Sequence, residues 1–177
     1  LSALNKPLLS GAYSRDISIR DIDRSVFNAF FLLNEQAQAI SPPYRKTYLL
    51  AFGEYLPFSE TFPILLKWLP FIANFGRGQG PEVLTWQRSP DNKVQFGAQI
   101  CYEGLYPEFS RDLSSRGAKI LANVTNDSWF GATFEPRQHM MMTFGRAIET
   151  RRPLIRSTNT GITSAILADG KILDQSP

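Results

Sequence analysis

The chain has 177 residues, 43% of them hydrophobic and 20% charged, which is typical of one globular domain and excludes a disordered chain. Its formal net charge is only +3 and its basic residues are scattered without interleaved aromatic residues, so we expect no nucleic-acid partner. A single cysteine and a single histidine exclude an internal disulfide and an ordinary structural zinc site, and neither a metal nor a cofactor is predicted.

Predicted strands and helices alternate along the later part of the chain. A helix over 106–116 has Pro107 in its first turn and Gly117 as its stop signal, and the longest helix is predicted over 135–152. The alternation of strands and helices predicts an α/β sandwich around mixed sheet. Apolar patterns predict strands at 7–13, 26–34, 82–87, 94–101, 120–125, 154–157 and 163–168.

An apolar arm is predicted at residues 55–80, between the second and third strands. From Tyr55 to Phe75 the charged residues are Glu60 and Lys67, and three prolines interrupt the run. The segment is too broken to span a bilayer, which takes about 20 continuous apolar residues, but its composition suits a bilayer interface. A helix packed on the core is the alternative.

Cys101 ends the predicted strand 94–101, in which every second residue is apolar. A thiol at the turn after a strand can face a cleft while neighbouring N–H groups point at the same place, as an acyl-transfer site requires. The competing interpretation is a buried, inert cysteine that behaves as a small hydrophobic residue.

Several motifs occur in a fixed order around this cysteine. They resemble the nitrilase superfamily of carbon–nitrogen hydrolases, and within it the apolipoprotein N-acyltransferase branch. The resemblance runs from about Leu8 to Lys171 and implies an α-β-β-α sandwich, with two mixed sheets inside and helices outside. The motifs are Tyr44-Arg45-Lys46, Phe52-Gly53-Glu54-Tyr55, Asn126 to Gly131, Pro136 with Gln138-His139, Arg146-Ala147-Ile148-Glu149 and Thr158-Asn159-Thr160-Gly161.

The resemblance assigns catalytic roles to two residues and supporting roles to three. Cys101 is the implied nucleophile, and Lys46 is the ammonium that favours its thiolate and stabilises the oxyanion. Glu54, Tyr102 and Glu103 match supporting active-site positions. Read alone, Lys46 would be a solvated lysine and the two glutamates ordinary surface carboxylates.

The family also carries a general-base glutamate upstream of the lysine. The only glutamate before Lys46 in this sequence is Glu35, whose surroundings do not match that motif. We therefore expect the general base to lie outside this sequence, in a longer protein. The sequence begins at Leu1, and the family carries transmembrane helices before and after its catalytic domain, so the chain is expected to be a partial one.

By resemblance, the implied function is acyl transfer in two steps. Cys101 takes a fatty acyl group from a membrane phospholipid and passes it to the N-terminal amine of a diacylglyceryl-cysteine lipoprotein. The implied location is the bacterial inner membrane, with the catalytic domain on the periplasmic side. Two alternatives stay open: a soluble nitrilase-type amidase that does not need the arm, and a catalytically silent nitrilase-like interaction module.

Two further features have competing interpretations. His139 could pair with Cys101 as in a cysteine protease, but its place in an apolar helical pattern favours a hydrogen-bonded structural histidine. Trp129 and Phe130 suit either a pocket near the thiol or the core.

Overall fold

The computed structural model describes residues 6–20, 24–128, 131 and 133–176, and its strands form two sheets. The smaller sheet contains β1 (Leu8–Arg15), β2 (Val26–Leu33) and β3 (Tyr44–Arg45), all antiparallel. β2 is central and is buried on both faces. Phe30 and Leu32 join the main core, whereas Phe27 packs on the opposite side against Gly76, where an added Cβ would overlap its ring.

The larger sheet has six strands in sequence order and mixed direction. β5, β6 and β7 are parallel to one another, and the remaining neighbours pair antiparallel. Parallel neighbours need a crossover, and helices supply it in both cases. The strands are β4 (Val83–Ser89), β5 (Asn92–Ile100), β6 (Ile120–Thr125), β7 (Leu154–Thr158), β8 (Ser164–Ile166) and β9 (Ile172–Gln175).

Three α-helices and one 3₁₀ turn complete the described part of the chain. The short α1 (Ile64–Trp68) lies within residues 55–80. The 3₁₀ turn Cys101–Leu105 follows β5 and leads into α2 (Pro107–Ser115), which has proline in its first turn. α3 (Glu135–Thr150) runs between β6 and β7. Among the described residues, no helix combines the length and apolar character needed to cross a membrane.

The two sheets pack face to face over one hydrophobic core. Gly11 of β1 comes so close to β6 that a Cβ there would lie 3.2 Å from Val124 Cγ2. The predicted two-sheet α/β architecture is therefore confirmed, although the smaller sheet is antiparallel in its described part. Core members from both sheets and from α2 include Phe30, Leu32, Leu84, Phe96, Ala98, Phe109, Leu113, Leu121 and Leu154.

Two strands went unpredicted, β3 and β9. β3 is two residues long, too short for a period-two pattern, and all four residues of β9 are exposed. The strand predicted over 94–101 begins earlier, at Asn92, because it continues a hairpin from β4, and it ends at Ile100.

Candidate active site

Cys101 stands at a sharp turn where β5 changes into the 3₁₀ turn. Its φ is 53°, in the left-handed region that a residue with a side chain enters only at a cost of about 1–2 kcal/mol. Such strain persists where the surrounding structure fixes it. The Cys101 side chain is partly buried, and the Thr125 hydroxyl and the Tyr102 backbone amide lie close enough to act on its pKa.

The environment of the thiol acts on its pKa in opposite directions. Burial raises the pKa of Cys101 above its usual value, and the positive charge of Lys46 and the hydrogen bond from Thr125 partly offset this rise. The Glu54 carboxylate adds a smaller upward contribution. A thiol with a raised pKa needs a base to remove its proton before it can act as a nucleophile.

Lys46 is a buried ammonium held by Glu54. Its side chain is 1% exposed, and its Nζ lies 2.7 Å from Glu54 Oε2 and 2.9 Å from Oε1. The Leu50 backbone N–H donates to the same carboxylate at 2.8 Å, and Asn28 of β2 donates to it through Nδ2. The Lys46 backbone N–H also donates to Asn28 O at 2.8 Å, so β2 fixes both members of the ion pair.

Glu103 is a fully buried carboxylate that joins the end of β5 to the segment after Lys46. Its Oε2 accepts from the Ile100 N–H at 2.8 Å. Its Oε1 accepts from the Tyr44 hydroxyl at 2.6 Å and from the N–H groups of Thr47 and Tyr48 at 2.7 and 3.0 Å. Burial raises the pKa of Glu103, and these four donors oppose that rise.

A second group of buried polar residues lies behind the nucleophile. Asn123 Nδ2 donates to the Cys101 carbonyl at 3.1 Å, and Arg156 donates to Asn123 Oδ1 at 2.9 Å. The other Arg156 nitrogen donates to Asp127 Oδ2 at 2.8 Å, and His139 Nδ1 lies 3.1 Å from Asp127 Oδ1. Asn123, Asp127, His139 and Arg156 are called the buried polar network below.

Sequence reasoning missed most of this network. His139 lies in a hydrogen-bonded structural position, but its partner Asp127 was seen only as part of a motif, and Arg156 was not singled out. The signal in the sequence is weak, because β5 also has Gln95 between apolar residues and Arg156 of β7 is followed by Ser157 and Thr158. In the structure, each of the three parallel strands has one polar residue that is almost fully buried. These residues, Gln99, Asn123 and Arg156, are register partners across β5, β6 and β7, and each is at most 1% exposed.

Tyr102 lies between the nucleophile and this network. Its ring stacks on the His139 ring with centroids 5.2 Å apart, and its hydroxyl lies 3.5 Å from Glu135 Oε1. Lys46 and Glu54 lie near enough to Cys101 for their charges to act on its pKa, and Tyr102 follows it in the chain. Trp129 and Phe130, for which the sequence allowed either a pocket or a core position, lie outside the described residues.

A half-open pocket of about 680 Å³ lies between part of the arm and the smaller sheet. Arg24, Phe27, Tyr55 and Arg77 are among its lining residues, whereas Lys46, Glu54 and Cys101 are not. The arm exposes the aromatic residues Phe58, Trp68 and Phe71, at 76%, 69% and 80%. Among the described residues, no group of three or more His, Cys, Asp or Glu side chains is arranged to hold a metal ion.

Comparison with known sequences identifies relatives of this chain. The carbon–nitrogen hydrolase family matches residues 5–177. An apolipoprotein N-acyltransferase from Bdellovibrio bacteriovorus is 60% identical over 178 residues, covering 100% of this chain and 32% of the relative. Another, from Pseudomonas aeruginosa, is 33% identical over 174 residues, covering 98% of this chain and 32% of the relative. The chain therefore spans about a third of the length of the curated relatives it matches.

Solved structures with a similar fold are distant in sequence. A carbon–nitrogen hydrolase from Helicobacter pylori aligns with a TM-score of 0.68 at 17% identity, covering 99% of this chain and 61% of that one. An amidase from Nesterenkonia sp. AN1, with acrylamide added to its active-site cysteine, aligns with a TM-score of 0.65 at 18% identity, covering 99% of this chain and 60% of the amidase chain. These likenesses establish the two-sheet fold and nothing finer.

Proposed function

The chain belongs to the carbon–nitrogen hydrolase family, and from this premise we propose that it is the catalytic part of a phospholipid-dependent apolipoprotein N-acyltransferase. In this proposal Cys101 carries a fatty acyl group from a membrane phospholipid to the N-terminal amine of a diacylglyceryl-cysteine lipoprotein. The 60% identity to a relative of that name supports the choice of substrates. The observation that carries the chemistry is the left-handed turn at Cys101, at the end of a strand, in a fold that also buries the Lys46 ammonium against Glu54.

The first half-reaction forms a thioester. A general base removes the Cys101 proton, the thiolate attacks the ester carbonyl carbon of the phospholipid, and the carbonyl electron pair moves to oxygen. The Tyr102 N–H and the Lys46 ammonium are the groups that stabilise this oxyanion. The tetrahedral intermediate then collapses with cleavage of the ester C–O bond, and the lysophospholipid leaves with a proton from the base.

The second half-reaction releases the enzyme. The neutral amine of the acceptor attacks the thioester carbonyl, and the same two donors stabilise the second oxyanion. Collapse cleaves the C–S bond, the amine loses a proton to the base, and Cys101 regains its thiol. The partners in this scheme are thus a phospholipid donor and a lipoprotein acceptor, at the periplasmic side of the bacterial inner membrane.

Glu54 and Glu103 support the site in different ways. Glu54 neutralises and orients the Lys46 ammonium through two short contacts. Glu103 holds the residues after Lys46 against the end of the nucleophile strand. Glu54 and Glu103 hold the Lys46 ammonium and the backbone after it in place before the substrate binds. The site therefore needs no reorganisation when the oxyanion forms.

The apolar arm is the proposed contact with lipid. Phe58, Trp68 and Phe71 expose most of their surface, and aromatic side chains of this kind suit the bilayer interface. We expect brominated phospholipids in nanodiscs to quench the fluorescence of Trp68 in the complete protein. In Trp68→Phe, the fraction of tryptophan fluorescence that these lipids quench should therefore be smaller. Trp86→Phe, in β4, is the matched control. Equal quenching in the wild type and the Trp68→Phe variant contradicts the lipid contact.

The central test is to trap the acyl-enzyme. The complete protein in detergent is incubated with phospholipid, and its intact mass is recorded with and without hydroxylamine. We expect a fatty acyl increment that hydroxylamine removes and that Cys101→Ala lacks. A thioester that survives in Cys101→Ala, or no increment together with hydrolysis of small amides, overturns the proposal.

A further inference from the structure

The peptide unit between Cys101 and Tyr102 is held from its carbonyl side. Asn123 Nδ2 donates to the Cys101 carbonyl oxygen at 3.1 Å. A peptide bond is planar and trans, so this oxygen and the N–H of Tyr102 point in opposite directions. Whatever fixes the carbonyl therefore also fixes the direction of the N–H, which acts on the pKa of the Cys101 thiol and which the proposed function makes the backbone donor for the oxyanion.

The orientation of the Asn123 side chain is determined by its neighbours. Arg156 Nη1 lies 2.9 Å from Oδ1, and a guanidinium can only donate hydrogen bonds. The Cys101 carbonyl can only accept them, so a flipped amide would face a donor with its NH₂ and an acceptor with its oxygen. Gly104 restricts the same amide, because an added Cβ there would lie 3.0 Å from Nδ2.

Arg156 is fixed in turn by Asp127. Its Nη2 donates to Asp127 Oδ2 at 2.8 Å, and both side chains are fully buried. Asp127 Oδ1 receives the Thr125 hydroxyl at 3.1 Å and faces His139 Nδ1 at the same distance. Thr125 also lies close enough to the thiol to lower its pKa, so the network reaches the nucleophile from its side-chain side as well as from its carbonyl.

We propose that Asn123, clamped by Arg156 and Asp127, is a positioning residue that directs the Tyr102 N–H at the oxyanion of the acyl-transfer reaction. This inference rests on the proposed role of Cys101 as acyl carrier. It gives a reason for the buried ionic cluster behind the nucleophile. An apolar core in the same place would avoid the cost of removing charges from water. The positioning role of Asn123 also explains how the left-handed conformation of Cys101 is held.

The test replaces the amide donor while keeping its shape. Asn123→Asp still pairs with Arg156 but places an oxygen against the Cys101 carbonyl, so the peptide is no longer held. Loss of one oxyanion donor slows catalysis by about 100- to 1,000-fold, and a misdirected donor is expected to slow acylation by about 10- to 100-fold. Alkylation of Cys101 by iodoacetamide forms no oxyanion, so its rate at a pH where the thiol is fully ionised is expected to stay within about twofold. The alkylation profile itself is expected to move to higher pH, because the displaced Tyr102 N–H and the added carboxylate both raise the thiol pKa.

The rates are measured in the complete protein with two acyl donors, phospholipid and p-nitrophenyl butyrate. The donor KM is expected to stay unchanged while kcat falls. Because an unfolded, inactive fraction would also lower the apparent kcat, circular dichroism and the thermal unfolding midpoint are recorded for each variant to show that it is folded. Gln99→Met is the matched control, because Gln99 is the neighbouring buried amide in the same row but bonds Ser110 rather than the Cys101 peptide. Its acylation rate is expected to match the wild type.

If Asn123→Asp does not fold, Arg156→Lys tests the positioning role of Asn123 instead. One ammonium cannot reproduce the two-nitrogen contact with Asn123 and Asp127, so the same pattern is expected. The proposal is overturned if a folded variant acylates at the wild-type rate, or if acylation and alkylation fall in equal proportion. If wild-type protein reacts with the p-nitrophenyl ester but never with phospholipid, the proposed function fails, and the ester rates alone judge the role of Asn123.

Discussion

We expect the effects of mutating Lys46 and Glu54 on the free energy of unfolding to be strongly coupled. The Lys46 side chain is 1% exposed and that of Glu54 14%, so removing one partner leaves the other charge buried. Breaking such a pair costs about 3–5 kcal/mol, whereas replacing both members by neutral residues of similar volume costs far less. We therefore expect Lys46→Met and Glu54→Gln each to lower the unfolding free energy by at least ~3 kcal/mol. The double variant should lose no more than the worse single variant.

The assay is thermal unfolding of the complete protein and its three variants in one detergent. At about 2–4 °C per kcal/mol for a domain of this size, each single change should lower the unfolding midpoint by roughly 6 °C or more. Asp112 and Arg116 provide the control pair, since they are 3.0 Å apart but 40% and 54% exposed. Their coupling should be about 0.3–0.5 kcal/mol. If the Lys46 and Glu54 effects simply add, the pair is not the coupled unit described above.

Three further predictions concern the nucleophile and the buried polar network. Thr125→Val removes a hydroxyl that lowers the pKa of Cys101, so iodoacetamide alkylation should shift to higher pH; an unmoved profile shows that the hydroxyl does not act on the thiol. Gly161→Ala would drive a Cβ into the Asp127 carboxylate and should cost about 1–3 kcal/mol in urea unfolding, whereas Gly145→Ala in α3 should add about 0.5–1 kcal/mol. Burial raises the pKa of Asp127, but the His139 contact and the Arg156 charge outweigh it and hold that pKa below normal. The resulting stability is present above the unfolded pKa of about 3.9 and is lost as pH falls further; Asp127→Asn should flatten this acid dependence.

Local sequence patterns predicted the fold well where elements are long. The alternating residues before Cys101 belong to β5, and the longest predicted helix, 135–152, corresponds to α3 (Glu135–Thr150). β3 escaped prediction because two residues carry no period. Its position is set by pairing with β2, at Ala29 with Arg45 and Phe30 with Tyr44, which is a long-range contact.

The candidate site was predictable as a set of residues but not as a set of contacts. Motif resemblance brought together Lys46, Glu54, Cys101, Tyr102 and Glu103, whose roles stay predictions until the variants are measured. No local pattern says that Glu103 receives donors from Tyr44, Thr47 and Tyr48, more than 50 positions earlier. A buried carboxylate must find such donors, yet only the packing of the two sheets decides which ones are near.

The site is placed by the topology of the larger sheet. β5 and β6 are parallel, so their carboxyl ends meet at one edge, and Cys101 and Thr125 come together there. The smaller sheet contributes Lys46 from the end of β3, across the interface between the sheets. A thiol from one sheet and an ammonium from the other need a rigid connection, and Glu103 supplies it by bonding the backbone on both sides. Glu103 is therefore expected to matter more for the distance between Cys101 and Lys46 than for any proton transfer.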